Sequence, residues 1–193
     1  MRKIVYSMSV SLDGFFEGPE RDIGWHRVDE ELHGHMNRQF APMSAFLEGR
    51  VTWELMADYW PTADTDPEST ETEREFSRIW CDMPKIVYSR TLDRAGWNTT
   101  IARDVVVDEV KALKAQPGGD MVVGGADLAA TFIRHGLVDE YWIYVHPVAI
   151  GQGRTPFPPD AQIPMRLVDT RTFGNGVVRL QYENATGDGD AAS

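Results

Sequence analysis

The chain has 193 residues, with 30 Asp and Glu against 19 Lys and Arg, for a formal net charge of −11. That length is one domain or little more, and with an isoelectric point near 4.8 the molecular field repels phosphate backbones and anionic lipid, which argues against nucleic acid and membrane surfaces as partners. A single cysteine, Cys81, excludes an internal disulfide or a Cys-x-x-Cys clamp, and the apolar runs are too short and too charged to span a bilayer, so the expectation is a soluble, cytoplasmic protein.

Ile4, Tyr6, Met8 and Val10 alternate and predict a first strand, which Asp13-Gly14 ends with a turn signal. Behind the acidic first turn Asp29-Glu30-Glu31, the spacing of Leu32, Met36 and Phe40 predicts a helix. A short strand through Ala45-Phe46-Leu47 reaches Gly49, and a second helix is expected from Thr52. From Pro61 to Glu75 the Pro, Thr, Asp and Glu content predicts a solvated loop, followed by a helical stretch around Phe76, Ile79 and Trp80 that Pro84 stops. Lys85–Ser89 and Thr99–Ala102 read as strands, Asp104–Ala115 as a helix and Met121–Val123 as a buried strand. Ala126–His135 reads as a helix closed by Gly136, and the aromatic run Glu140–Val148 as a long strand. Met165–Phe173 and Val177–Glu183 flank Gly174-Asn175-Gly176, a hairpin signal. The pattern predicts a single α/β domain over residues 1–186, a mostly parallel sheet of about eight strands with an antiparallel edge, and a disordered tail over 187–193.

Three turns sit where predicted strands end, the edge at which α/β sheets bind ligands. In Gly49-Arg50-Val51-Thr52, glycine allows close approach of a ligand, Thr52 is expected to cap the following helix, and Arg50 adds charge. Gly124-Gly125 leaves amide donors uncovered at the next helix start, and Ser89-Arg90-Thr91 brings a guanidinium and two hydroxyls suited to a phosphate monoester. Singly, each reads as an ordinary turn. Together they suggest a ligand with several phosphates stretched across the sheet. Gly151-Gln152-Gly153 lacks the third glycine and the strand-to-helix context of a dinucleotide fingerprint, and no GxxxxGK[ST] loop occurs.

Ser11-Leu12-Asp13-Gly14-Phe15, Gly49-Arg50-Val51-Thr52-Trp53-Glu54, Ser89-Arg90-Thr91-Leu92, Gly124-Gly125, Gly136–Glu140 and Pro147–Gly153 occur in an order that resembles the dihydrofolate reductase superfamily. The branch it resembles most is the reductase domain of the bifunctional riboflavin-biosynthesis protein, and the resemblance spans nearly the whole chain. It implies a dihydrofolate reductase-like fold and an NADPH site. Gly49, Arg50 and Thr52 match the motif that holds cofactor phosphates, Ser89, Arg90 and Thr91 the loop taking the 2′-phosphate, and Gly124 with Gly125 a pair lying on the pyrophosphate and joined by a cis peptide. Asp13-Gly14 matches the start of the mobile loop over the nicotinamide, and Trp25 resembles the tryptophan near its end.

Hydride transfer to a C=N carbon leaves a nitrogen needing a proton, and relatives of this kind place a carboxylate on the first helix, shortly after that tryptophan. Asp29, Glu30 and Glu31 are available there, with Glu30 favoured by its offset from Trp25, and Asp13 is a further carboxylate near the loop; acidic residues in a first helical turn are equally ordinary dipole partners. No second basic cluster is evident for the phosphate of a phosphoribosyl pyrimidine. His33 and His35, two apart on a helix, face differently, so no metal site is expected; His146 reads as a satisfied core or edge histidine and Cys81 as a packed thiol. The reading is an NADPH-dependent reductase of a small nitrogen heterocycle of pteridine, pyrimidine or flavin-precursor type. A nucleotide-binding module without turnover is the alternative. Consecutive aromatic and apolar residues from Tyr141 to Val145 further suggest a homodimer, unless the domain's own layers cover both faces of that strand.

Overall fold

The computed structural model describes residues 1–185, so the expected tail lies outside the described residues. Eight strands, β1 (Ile4–Ser11), β2 (Ala45–Gly49), β3 (Lys85–Tyr88), β4 (Thr99–Ala102), β5 (Met121–Gly124), β6 (Glu140–His146), β7 (Met165–Thr172) and β8 (Val178–Asn184), form one sheet in the order β4-β3-β2-β5-β1-β6-β8-β7. The first six in that order run parallel, and β8 and β7 turn back antiparallel through the expected hairpin. Among the described residues, five α-helices, α1 (Glu30–Phe40), α2 (Arg50–Ala63), α3 (Glu71–Asp82), α4 (Val107–Ala115) and α5 (Ala126–Arg134), cover the two faces.

Alternation along the central strands assigns each side chain to a layer. Ile4, Tyr6 and Val10 of β1 join Tyr141 and Ile143 of β6 in a core with α4 and α5, whereas Val5, Trp142 and Tyr144 point to α1, α2 and α3. The aromatic run of β6 is thereby buried from both sides by the domain's own layers, with Tyr144 fully covered and Trp142 only 6% exposed. This run therefore does not itself call for a second subunit. No helix among the described residues is long and apolar enough to cross a membrane.

Two local departures matter for the site. The expected loop from Pro61 to Glu75 is shorter: α2 continues through Pro61 to Ala63, and α3 begins at Glu71. Proline so near a helix end sacrifices little, and Trp60, packed on Phe76 of α3 with ring centroids 4.5 Å apart, holds the last turn in place. α3 starts on a complete capping box, in which the Thr70 hydroxyl accepts from Glu73 N–H and the Glu73 carboxylate accepts from Thr70 N–H. Thr52, in turn, does not cap α2; the cap position is Gly49, and Thr52 lies in the first turn.

Candidate functional site

β2 and β5 are paired neighbours, with Glu48 opposite Gly124, so the turns that follow them emerge side by side. Each leads into a helix whose first-turn amides receive no side-chain cap, because Gly49 and Gly125 occupy the cap positions of α2 and α5. Two uncapped helix N-termini at one sheet edge favour anions through both free N–H groups and aligned dipoles. The turns are packed against each other through Thr52: a Cβ on Gly125 would lie 2.4 Å from its Oγ1, and one on Gly124 3.6 Å from its Cγ2. Gly125 also adopts φ +87°, which other residues rarely adopt. No peptide bond among the described residues is cis, so the expected cis link between Gly124 and Gly125 is trans, and the positive φ of Gly125 makes the turn instead.

One strand further out, β3 ends in Ser89-Arg90-Thr91. The Ser89 hydroxyl accepts from Leu92 N–H at 3.0 Å and Thr91 N–H at 3.3 Å, so it shapes the turn from within. Arg90 is largely exposed and pairs with Asp104 through Nε at 2.7 Å and a second, shorter contact from its terminal nitrogen. Arg103, at the end of β4, donates to the carbonyls of Ser89 and Leu92 at 3.1 and 2.7 Å. The two guanidinium-bearing residues line a cavity of about 370 Å³ together with Tyr88, Asp104 and Val105. Sequence reasoning missed Arg103, which follows β4 directly as Ser89 follows β3, and parallel strand ends converge on one edge.

A second cavity, of about 460 Å³, opens beside Ser9 near the carboxyl end of β1, between α1, α2 and α3. Its walls are Met36, Phe40, Met56, Trp60 and Phe76, with His26 and Val28 contributed by the loop before α1. Its remaining polar lining is His33, Tyr59 and Glu73. Burial lowers the pKa of His33 against the opposing pull of Glu73 and Glu75. Hydrogen bonding from Thr70, chiefly its backbone N–H, keeps the Glu73 carboxyl below its usual range, and Tyr59 donates to it at 3.1 Å.

None of the three expected catalytic carboxylates lines this cavity. Asp13 accepts from Gly151 N–H at 2.7 Å and from Ile150 N–H at 3.1 Å, tying the turn after β1 to the segment after β6, and its pKa is lowered by hydrogen bonds from Ser11 and Gly151. Glu31 accepts from Gly174 N–H at 2.9 Å and so fastens α1 to the β7–β8 turn. Glu30 is an exposed first-turn residue with no side-chain hydrogen bond among the described residues. Asp29 is the α1 cap, accepting from Leu32 N–H at 2.9 Å.

Trp25 lies edge-on to His26 and His146, with centroids 4.3 and 5.7 Å away, and the two imidazoles stack at 5.1 Å. His146 is fully buried; its Nδ1 accepts from Arg27 N–H at 3.0 Å while Nε2 has no partner among the described residues, so only half of the expected satisfaction is present there. Burial pushes its pKa down to about 4, with the neighbouring His26 and Arg27 adding to the effect.

Residues 2–179 match the model of the RibD C-terminal domain family. The chain is 35% identical to the uncharacterised protein YyaP of Bacillus subtilis, over 94% of each chain, and 25% identical to the uncharacterised protein YwjB of the same organism, over 95% of this chain and 99% of that one. Among solved structures it resembles a protein ascribed to riboflavin biosynthesis from Shewanella sp. PV-4, with a TM-score of 0.70 at 18% identity over 96% of this chain and all of that one. It also resembles the diaminohydroxyphosphoribosylaminopyrimidine deaminase/5-amino-6-(5-phosphoribosylamino)uracil reductase of Thermotoga maritima, with a TM-score of 0.64 at 16% identity, covering 95% of this chain but 57% of that longer one. The family match across almost the whole chain, together with the shared sheet, makes this protein a member of the RibD C-terminal domain family, with a dihydrofolate reductase-like fold.

Proposed function

We propose that this protein is an NADPH-dependent reductase that transfers hydride to a small nitrogen heterocycle of pteridine, pyrimidine or flavin-precursor type. The observation that carries the reading is the convergence of two uncapped helix N-termini, at Gly49 and Gly125, one strand away from the paired strand ends bearing Arg90 and Arg103. The two turns stay close-packed because Gly125 has no Cβ to strike Thr52, and the donors they offer with the neighbouring strand ends are backbone amides and guanidiniums, the groups a dinucleotide's phosphates require. Gly49, Arg50 and Thr52 with Gly124 and Gly125 would hold the pyrophosphate, and Arg90 with the Ser89-Thr91 turn the 2′-phosphate.

NADPH, when bound, supplies hydride to the electron-poor carbon of a ring C=N. The chain's own part is to hold the ring beside Ser9, to exclude water with the walls of Met36, Met56, Trp60 and Phe76, and to deliver a proton to the ring nitrogen. His33, whose resting imidazole burial keeps uncharged, fills the last role by taking a proton from solvent and passing it to the ring nitrogen, in place of Glu30, Glu31 or Asp13. The absence of those three carboxylates from the lining is the one observation favouring a nucleotide-binding module without turnover.

Calorimetric titration with NADPH and NADH tests the reading. NADPH should bind at least tenfold more tightly, and Arg90→Ala should weaken NADPH by about 1.5–3 kcal/mol while leaving NADH nearly unchanged. Equal losses for both cofactors would remove Arg90 from the 2′-phosphate, and no binding of either would overturn the proposal. NADPH binding without oxidation by any ring acceptor would favour the alternative.

A further inference from the structure

The phosphoribosylated pyrimidine named for the Thermotoga maritima structure carries a phosphate, and burying such a group needs a cation in or beside its cavity. Here the cavity between α1, α2 and α3 is built otherwise. Its walls are thioether and aromatic, and its lining includes neither lysine nor arginine. Of the cationic side chains on the surrounding helices, Arg78 pairs with Asp64 and Glu71, Arg74 donates to the carbonyls of Asp66 and Pro67, Arg50 lies at the start of α2 beside Glu54, and Arg38 lines a separate pocket with Gln39 and Pro42. Lys85 is buried, donating to three backbone carbonyls. Arg27 precedes Val28, which lines the cavity, but Arg27 is itself exposed and outside the lining.

The charge that is present has the opposite sign. Glu73 lines the cavity, stays ionised through its bonds to Thr70, and accepts from Tyr59; Glu75 stands near enough to act on His33 and holds Asn37 by a hydrogen bond of 2.7 Å. Burial favours the uncharged imidazole at both His33 and His26. A phosphate or carboxylate drawn into this space would lose hydration, meet a carboxylate, and find no partner for its charge. A flat ring bearing N–H donors would instead pack on Trp60 or Phe76, whose rings stand at 72° to each other, and donate toward Glu73.

Resting on the reductase reading, and narrowing it, we infer that the cavity takes an unphosphorylated, neutral or cationic nitrogen heteroaromatic with N–H donors, and rejects ligands carrying a phosphate or carboxylate tail. The substrate class therefore differs from the phosphoribosylated pyrimidine named for the Thermotoga maritima relative.

The test compares rings that differ only in their charged group, using the full chain with and without saturating NADP⁺. The probes are pterin, 6-hydroxymethylpterin, its phosphate ester, and pterin-6-carboxylate, each titrated by fluorescence. The two uncharged pterins should bind at least about tenfold more tightly than the two anionic ones. Glu73→Gln preserves the capping box, which accepts Glu or Gln, while removing the charge, and should narrow that ratio to within about threefold. Arg27→Ala should leave the ratio unchanged. Anionic pterins binding as tightly as uncharged ones, a ratio insensitive to Glu73→Gln, or no pterin binding at all would each overturn the inference. Since the comparison is also made without cofactor, a failure of NADP⁺ to bind would count against the reductase reading alone, while the pterin ratio would still decide the cavity.

Discussion

Adjacent glycines at the end of β5 should respond very differently to the same substitution. Gly125→Ala places a Cβ 2.4 Å from Thr52 Oγ1 and forces alanine to φ +87°. The left-handed backbone costs roughly 1–2 kcal/mol, and the overpacking against a β-branched neighbour adds about 1–3 kcal/mol. The sum, about 2–5 kcal/mol, is a large fraction of the 5–15 kcal/mol typical of a domain, so the variant should fold with a much lower urea midpoint. Gly124→Ala meets only Thr52 Cγ2 at 3.6 Å, an ordinary contact, and should cost less than about 1 kcal/mol. Thr52→Ala removes the obstructing hydroxyl, whereas the backbone strain at residue 125 persists. Combined with Gly125→Ala, it should therefore restore about 1–3 kcal/mol, seen as a favourable coupling in a double-mutant cycle. Urea unfolding followed by tryptophan fluorescence measures all four proteins. Additivity of the two changes within about 0.5 kcal/mol, or equal costs at Gly124 and Gly125, would refute the close packing of the two turns.

Protonation of His146 offers a second check. Its folded pKa of about 4 lies below the ordinary 6.5, so the unfolded chain binds the extra proton, and stability present above about pH 6.5 is lost as pH falls toward 4. At about pH 5 the loss is about 2 kcal/mol; His146→Asn, which keeps a side-chain acceptor but cannot titrate, should shrink the difference in urea stability between pH 7 and pH 5, and an unchanged difference would contradict the assignment. Glu30→Ala and Glu31→Ala should each leave kcat within about threefold, with Glu31→Ala costing about 1 kcal/mol of stability through the lost bond to Gly174, while His33→Gln should lower kcat by roughly 100-fold or more. Steady-state NADPH oxidation separates these, and a large kcat loss on changing Glu30 with none on changing His33 would return the proton donor to the helix start. Thr70→Ala should cost about 1 kcal/mol by breaking the capping box, read from the thermal midpoint, and no shift would deny the box a stabilising role.

The sheet was legible because alternation and glycine punctuation are local signals. Ile4, Tyr6 and Val10 share a face in sequence as they do in the fold, and Gly174-Asn175-Gly176 marks the hairpin directly. The last turn of α2, from Pro61 to Ala63, was not legible, since Pro61 and the acidic residues after it have a loop's composition, and what keeps the helix running is a contact between Trp60 and Phe76 on different helices. The capping box Thr70-x-x-Glu73 was visible in principle but lay inside that acidic stretch. The turns at the strand ends could be read from their glycines; the cavity between α1, α2 and α3 could not, because His33, Met56, Tyr59 and Phe76 come from three helices whose packing no local pattern encodes. Helical phase also explains the carboxylates: His33, Met36 and Phe40 line the cavity, and the residue one turn before His33 is Asp29, already engaged as the cap.

The central claim is that NADPH lies along the carboxyl edge formed by β2, β5 and β3. Titration of ¹⁵N-labelled protein with NADPH, followed by amide chemical shifts, tests it most directly. The expected result is a saturable set of shifts concentrated at Gly49–Thr52, Ser89–Thr91 and Gly124–Ala126, with NADH moving the first and third groups and sparing the second. Shifts confined to the opposite end of the sheet, around Pro42, Gly119 and Asp120, or none at saturating NADPH, would contradict the account.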